Sequence, residues 1–231
     1  NVTRPIAKYS EKAVHRSIRS EPAWYLVREP VLHIISIHKK EGKNIMEKEK
    51  YIAYVGTYTH GSSIGIHLYD VDVEEGTLSE RKVVPVNNSS YVVKSKNGKY
   101  LYSIADEGVA VFEIKPDGDL ELINKVGIDG MRGCYLCVDD TGKYLFVAGY
   151  HDGKITAVQD GRLGQVFDGV FHKGVGSVAE RNFRPHVSCV KTTPEGKYVC
   201  AVDNGIDQVK IYRINTTRNR MELVDILRCK R

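Results

Sequence analysis

The stretch "ERNFRPHVSCV", residues 180–190, sets one histidine beside an acid and two guanidinium groups: Glu180, Arg181, Arg184 and then His186 at the mouth of an apolar strand. A free imidazole titrates near 6.5, so His186 suits a general base that takes a proton from water at neutral pH. Glu180 can orient that imidazole or act as a base itself. Arg181, together with Arg132 in "GMRGC", can converge on an anionic substrate through charge-assisted hydrogen bonds. Each group also has a plainer reading: a strand-start histidine tied into a hydrogen bond, a carboxylate paired with an arginine, and solvated arginines on a rim. Which reading holds depends on the elements that position these residues.

Other reactive side chains are less suggestive. Cys134 and Cys137 form a C-x-x-C, but "RGCYLCVDD" reads as a strand, where positions i and i+3 point to opposite faces. No second Cys/His pair at zinc spacing accompanies them, so no metal is expected. The five cysteines read as small buried thiols in a reducing cytosol, which places the protein in the cytoplasm. Ser188 has no base and orienting acid arranged around it in sequence, which argues against a serine triad. His60 and His67 read as surface or packing residues. Asp203 and Asp207 read as fixing the turn between them by side chain to backbone bonds.

The net charge of +5 is confined to one end: residues 1–45 carry nine Lys/Arg against four Asp/Glu, and the remainder is neutral. A nucleic-acid partner requires a basic face on the folded domain, and none is implied. No apolar run reaches the roughly 18 residues of a membrane span, and no secretory signal is visible.

Three segments align when the chain is cut at its turns: "SKNGKYLYSIADEGVAVFEIKPDGDLELI", "DDTGKYLFVAGYHDGKITAVQDGRLGQV" and "TPEGKYVCAVDNGIDQVKIYRINTTRNRMELV". Each has a Gly-Lys-Tyr turn, at Gly98, Gly142 and Gly196, spaced 44 and 54 residues apart. Each carries a strand before that turn and three after it. Four short strands at this period are the mark of a β-propeller blade. The fold class is therefore all-β, with blades stacked about an axis and inner strands that bring distant polar groups together. The long connection of residues 167–185, which carries Arg181 and Arg184, accounts for the larger spacing, and long rim loops are common places for function.

A partial unit precedes these three. "YIAYVGTYT", "IGIHLYDV" and "LSERKVV" supply three strands, and the innermost is missing, leaving a gap for a strand from the far C-terminus. Residues 46–231 thus read as blades 1 to 4 of an incomplete ring, cut short at its C-terminal end. Residues 1–45 read as a non-propeller segment. Met46 stands where a propeller would begin, so this segment reads as a translated leader; the competing reading is a basic extension, part helical through "AVHRSIRS".

"YVGTYTHGSSIGIHLYDVD", "AGYHDGKI", "FHKGVGSVAERNFRPHV" and "TPEGKYVCAVDNGIDQVKIYRI" together resemble the lactonase family of seven-bladed β-propellers. That family includes the propeller-type 6-phosphogluconolactonases and, more distantly, fungal carboxymuconate cyclases. The resemblance covers about residues 49–227. It departs from the family at Pro185-His186-Val187-Ser188, where a second histidine is usual, and at Asn182, where glutamine is usual.

The resemblance implies hydrolysis of a sugar lactone, 6-phosphogluconolactone above all, without metal or cofactor. It makes His186, Glu180 and Arg181 the catalytic group. Substrate binding would fall to Arg132, Arg184, His151 near the tunnel, and His172, whose "HKGVG" glycines would bring backbone N–H groups to a phosphate. The partner is then a small lactone, with no nucleic acid and no membrane. The alternatives are a lactone or muconate cycloisomerase and a non-enzymatic interaction platform.

Overall fold

The structure, a computed structural model, describes residues 33–39, 51–159, 164–176 and 183–229. Its regular structure is β-strand throughout, in four antiparallel sheets of four strands. The first sheet contains β1 (His33–Lys39), β2 (Tyr51–Gly56), β3 (Gly65–Asp72) and β4 (Thr77–Pro85). The second contains β5 (Val92–Lys94), β6 (Tyr100–Ala105), β7 (Gly108–Ile114) and β8 (Leu120–Gly127). The third contains β9 (Tyr135–Val138), β10 (Tyr144–Gly149), β11 (Lys154–Gln159) and β12 (Val166–Phe171). The fourth contains β13 (Val187–Thr192), β14 (Val199–Asp203), β15 (Gln208–Asn215) and β16 (Arg220–Arg228). Within every sheet the strands lie in chain order.

One expectation is corrected. The innermost place of the first sheet is occupied by β1, paired with β2 from His33↔Gly56 to Lys39↔Tyr51. The backbone edge of β2 would otherwise carry unpaired N–H and C=O groups. The chain upstream satisfies them, so the non-propeller segment does not run unbroken to residue 45. Residues 1–32 and 40–50, which include Met46 and the expected helix over residues 13–20, lie outside the described residues.

The Gly-Lys-Tyr turns have a common chemistry. Gly98, Gly142 and Gly196 take φ of 72°, 70° and 67°, a left-handed conformation that glycine adopts without Cβ strain. Three residues earlier a short polar side chain reaches across the turn. The backbone N–H of Tyr100 donates to Ser95 Oγ, that of Tyr144 to Asp139 Oδ1, and that of Tyr198 to Thr193 Oγ1, at 3.0, 2.7 and 3.1 Å.

Strand alternation then builds the core. In β6, Tyr102 and Ile104 face the third sheet while Leu101 and Ala105 face the first. In β10, Leu145 and Val147 face the second sheet while Phe146 and Ala148 face the fourth. The middle sheets are thus apolar on both faces, and each buried Val, Leu, Ile or Phe contributes roughly 1.5–3 kcal/mol. The first strands of the sheets, β1, β5, β9 and β13, lie side by side in succession. This is the radial stacking of a partial propeller. Among the described residues no contact of similar extent joins the first and fourth sheets, so the ring is not closed.

Because each sheet runs up and down in chain order, its loops divide between two ends. The Gly-Lys-Tyr turns lie at one. The loops that enter each first strand, and those that join second strand to third, lie at the other. Of the described residues, Arg132, His151, His172, Arg184 and His186 fall in this second set of loops.

Candidate active site

His186 is buried and immediately precedes β13. Its backbone is held on both sides: its N–H donates to Asp203 Oδ1 at 2.8 Å, and its C=O accepts from Asn204 N at 3.0 Å. Its ring stacks on Tyr150, in the β10–β11 loop, with centroids 4.4 Å apart and planes 17° from parallel. Phe183 meets the ring edge-on at 6.4 Å. His186 Nδ1 lies 2.7 Å from the carbonyl oxygen of Tyr150. A carbonyl only accepts, so Nδ1 carries the proton and Nε2 keeps its lone pair. Among the described residues nothing hydrogen-bonds Nε2. The strand-start and catalytic readings are therefore compatible: one ring nitrogen anchors, and the other is left to act as a base.

Close packing sets this loop. Gly153 has φ 63°, and a Cβ there would lie 2.5 Å from Pro185 Cβ. At Gly205 a Cβ would lie 1.9 Å from the Arg184 carbonyl oxygen. Both glycines let neighbouring turns press on the segment that delivers His186.

Arg132 sits half-buried in the loop entering β9, its guanidinium 4.9 Å from the centre of the Tyr58 ring. Tyr58 belongs to the β2–β3 loop, so Arg132 reaches past the second sheet to the first. Tyr58 in turn stacks on His60, 5.9 Å away and 16° from parallel. Among the described residues no carboxylate pairs with Arg132. Its loop is pinned at two points. Lys154 Nζ, buried, donates to the carbonyls of Ile128 and Asp129 at 2.9 and 2.7 Å. Met131 N–H donates to Asp152 Oδ2 at 2.8 Å. Asp152 and Tyr150 share one loop, so the Arg132 segment and the His186 ring are braced against a common turn.

The remaining predicted residues are placed differently. His151 is exposed and meets Tyr150 edge-on at 5.8 Å. Arg184 is exposed, with its guanidinium 5.6 Å from the Phe183 ring centre. Glu180 and Arg181 lie outside the described residues, as does Asn182.

His172 departs from its expected role. Its side chain is fully buried, its Nδ1 lies 2.7 Å from Asp203 Oδ2, and its Nε2 lies 3.0 Å from the Tyr212 hydroxyl. With Nδ1 donating to the carboxylate, Nε2 accepts from the tyrosine, and no ring nitrogen remains for a phosphate. His172 follows β12 of the third sheet, whereas Asp203 and Tyr212 belong to the fourth, so the bond clamps one sheet to the next. Asp203 does fix its turn, accepting from Gly205 N at 3.0 Å, and it also holds His186 and His172. Burial alone would raise its pKa. The bonds from His172, His186 and Gly205 outweigh that and hold it below the usual carboxylate range.

The cysteine pair needs one correction. Cys134 precedes β9, so strand alternation does not reach it, and both Cys134 and Cys137 pack toward the same core cluster. Burial pushes the Cys134 thiol up to about 12, which disfavours a reactive thiolate. All five cysteines are free thiols. Among the described residues no three His, Cys, Asp or Glu side chains gather as a metal site.

Sequence reasoning missed Tyr150, Tyr58 and Asp152. Tyr150 and Asp152 flank His151 in "GYHDG", but their contributions, a backbone carbonyl and a brace to a distant N–H, carry no side-chain signature.

Comparison with known proteins agrees with this architecture. Residues 52–229 match the family model "Lactonase, 7-bladed beta-propeller". A Bacillus subtilis protein named 6-phosphogluconolactonase is 40% identical over 174 residues, covering 71% of this chain and 50% of that protein. A candidate 6-phosphogluconolactonase from Bacteroides fragilis superposes with a TM-score of 0.72 at 30% identity, over 82% of this chain and 57% of that one. The periplasmic gluconolactonase of Pseudomonas aeruginosa superposes with a TM-score of 0.73 at 26% identity, over 78% and 56%. The chain spans about half the length of the curated relatives it matches. Four radially stacked sheets, the strand order within them and a family match across all four lead to one conclusion: this chain belongs to the lactonase family of seven-bladed β-propellers.

Proposed function

We propose that the chain hydrolyses a sugar lactone to its acid, with 6-phosphogluconolactone as the preferred substrate. The reading rests on one observation above the others: His186 spends Nδ1 on the Tyr150 carbonyl, which fixes Nε2 as the basic nitrogen. In the proposed reaction Nε2 takes a proton from water, the water oxygen attacks the lactone carbonyl, and the ring C–O bond breaks. The departing ring oxygen takes the proton back from His186. Arg132, which has no carboxylate partner among the described residues, holds the anionic end of the substrate. Glu180, Arg181 and Arg184 complete the constellation as orienting acid and further cations. His151 borders it from its exposed position beside Tyr150. The steps use no cofactor.

The name of the Bacillus subtilis relative supports the phosphorylated substrate. We place the protein in the cytoplasm, where five free thiols persist in reduced form. Among the described residues no helix is long and apolar enough to cross a membrane.

Product analysis tests the assignment. The chain is offered 6-phosphogluconolactone, unphosphorylated gluconolactone and a muconate-type diacid in parallel. Opening of the phosphorylated lactone above its spontaneous rate, faster than that of the unphosphorylated one, is the expected result. Turnover of the diacid alone would make it a cycloisomerase. Turnover of none by folded protein would leave an interaction platform.

A further inference from the structure

Lys154 opens β11 and is buried, yet its side chain ends in an ammonium group. Ile155 and Ala157 face the fourth sheet, so strand alternation turns Lys154 and Thr156 toward the second. There Lys154 Nζ donates to the carbonyls of Ile128 and Asp129, at 2.9 and 2.7 Å, in the loop that leads to Arg132. It also lies 5.2 Å from the ring centre of Phe171, its paired position on β12. Among the described residues no carboxylate pairs with this ammonium.

The surrounding backbone is shaped to the lysine. A Cβ at Gly169 would lie 2.5 Å from Lys154 Cε and 3.0 Å from Nζ. One at Gly130 would lie 3.3 Å from Lys154 Cδ and 2.7 Å from Asp152 Oδ2. The two glycines leave the space through which the side chain reaches the loop. Successive carbonyls of an extended chain point to opposite sides, so two that meet one ammonium need a helix-like bend at the residue between them. Asp129 supplies it with φ 51°, in the left-handed region that aspartate enters more readily than most residues.

Burying an ammonium is costly unless its protons are hydrogen-bonded. An apolar side chain could fill the same space without that cost, but it could not grip two carbonyls. The grip fixes the chain just ahead of Arg132, and Asp152 holds the N–H of Met131, the residue next to it. Arg132 therefore leaves a backbone with little freedom, and its guanidinium is set over the Tyr58 ring at 4.9 Å.

We propose that Lys154 is the positioning residue for Arg132. By holding the Ile128 and Asp129 carbonyls it aims the guanidinium at the phosphate of a phosphorylated lactone, and so sets the preference for phosphorylated over unphosphorylated substrates. This rests on the reading of Arg132 as the group that holds the anionic end of the substrate. Lys154 itself does not touch the ligand; it acts through the loop.

The test is calorimetric titration of the full chain with 6-phosphogluconate and with gluconate, which reads binding apart from turnover. Lys154→Met keeps the length of the side chain and removes the ammonium. It is expected to weaken 6-phosphogluconate binding about 5- to 10-fold, through a misdirected charge-assisted hydrogen bond, and to leave gluconate binding within about 2-fold. Added to Arg132→Ala, the same substitution is expected to cause no further loss. Gly169→Ala keeps the ammonium but displaces it, and is expected to weaken 6-phosphogluconate binding by a smaller factor. A folded Lys154→Met protein with unchanged affinity overturns the proposal, as does equal weakening for both ligands or a full additional loss in the Arg132→Ala background. That double substitution decides the matter even where gluconate binds too weakly to titrate. If Lys154→Met does not fold, Gly169→Ala decides in the same way. If Arg132→Ala leaves 6-phosphogluconate binding unchanged, or the folded unsubstituted chain binds none, the reading of Arg132 falls and this inference with it.

Discussion

The His186 imidazole lies flat on the Tyr150 ring at 4.4 Å and is tied through Nδ1 to the backbone carbonyl of the same residue at 2.7 Å. One residue thus sets both the plane and the tautomer of the proposed base. Removing the ring while keeping the carbonyl separates the two effects. Tyr150→Ala is expected to lower kcat for the lactone about 5- to 10-fold with little change in KM, in line with an aromatic contact of about 0.5–1.5 kcal/mol. Tyr150→Phe is expected to restore turnover. Steady-state kinetics on the three proteins checks this; equal loss in the Ala and Phe variants would rule out stacking as the cause.

Arg132 rests on Tyr58 with no carboxylate partner among the described residues. If it binds the anionic end of the substrate, Arg132→Ala raises KM for 6-phosphogluconolactone by at least about 10-fold, the loss of one charge-assisted hydrogen bond of roughly 1.5–3 kcal/mol. The unphosphorylated lactone is expected to be affected far less. Comparing the two substrates in one variant reads out the contact with the phosphate, since a general disruption would weaken both.

Asp203 joins two sheets and carries a pH signature. Its carboxyl is held below the usual range in the folded state, so the folded chain binds fewer protons there than the unfolded chain. Its stabilising contribution is therefore fully present above the unfolded value, near 3.9, and is lost as pH falls through the lower folded value. Asp203→Asn is expected to cost about 1–3 kcal/mol at neutral pH, because the buried donors of His172, His186 and Gly205 lose part of the acceptor that satisfies them. It is also expected to flatten the fall in stability below pH 4. Urea unfolding at pH 7 and pH 3 measures both.

Gly205 tests the delivery of His186. A methyl group there would meet the Arg184 carbonyl oxygen at 1.9 Å and the His186 nitrogen at 2.7 Å. Gly205→Ala is expected to cost about 1–3 kcal/mol of stability, as overpacking does, and to reduce lactone turnover at temperatures where the protein remains folded. Retained stability and retained turnover together would mean that the segment is free to move.

The repeat was legible because its turns use side chains and glycines with local work to do: Ser95, Asp139 and Thr193 bond across their own hairpins within five residues. β1 was not, because the connection over residues 40–50 carries charge in place of a Gly-Lys-Tyr turn. The site divides in the same way. His186 and Arg132 stood out by type and by their place before apolar strands. The work of His172 depends on partners 31 and 40 residues away, which local patterning does not reveal.

The role of His186 Nε2 as the base for lactone opening is decided by one comparison. Turnover of 6-phosphogluconolactone is measured for the unsubstituted chain and for His186→Ala, each corrected for spontaneous opening and checked for fold by circular dichroism. Catalysis by the first and a loss of at least about 100-fold in the second is the expected result. A folded His186→Ala protein that opens the lactone at the unsubstituted rate would mean that the base lies elsewhere.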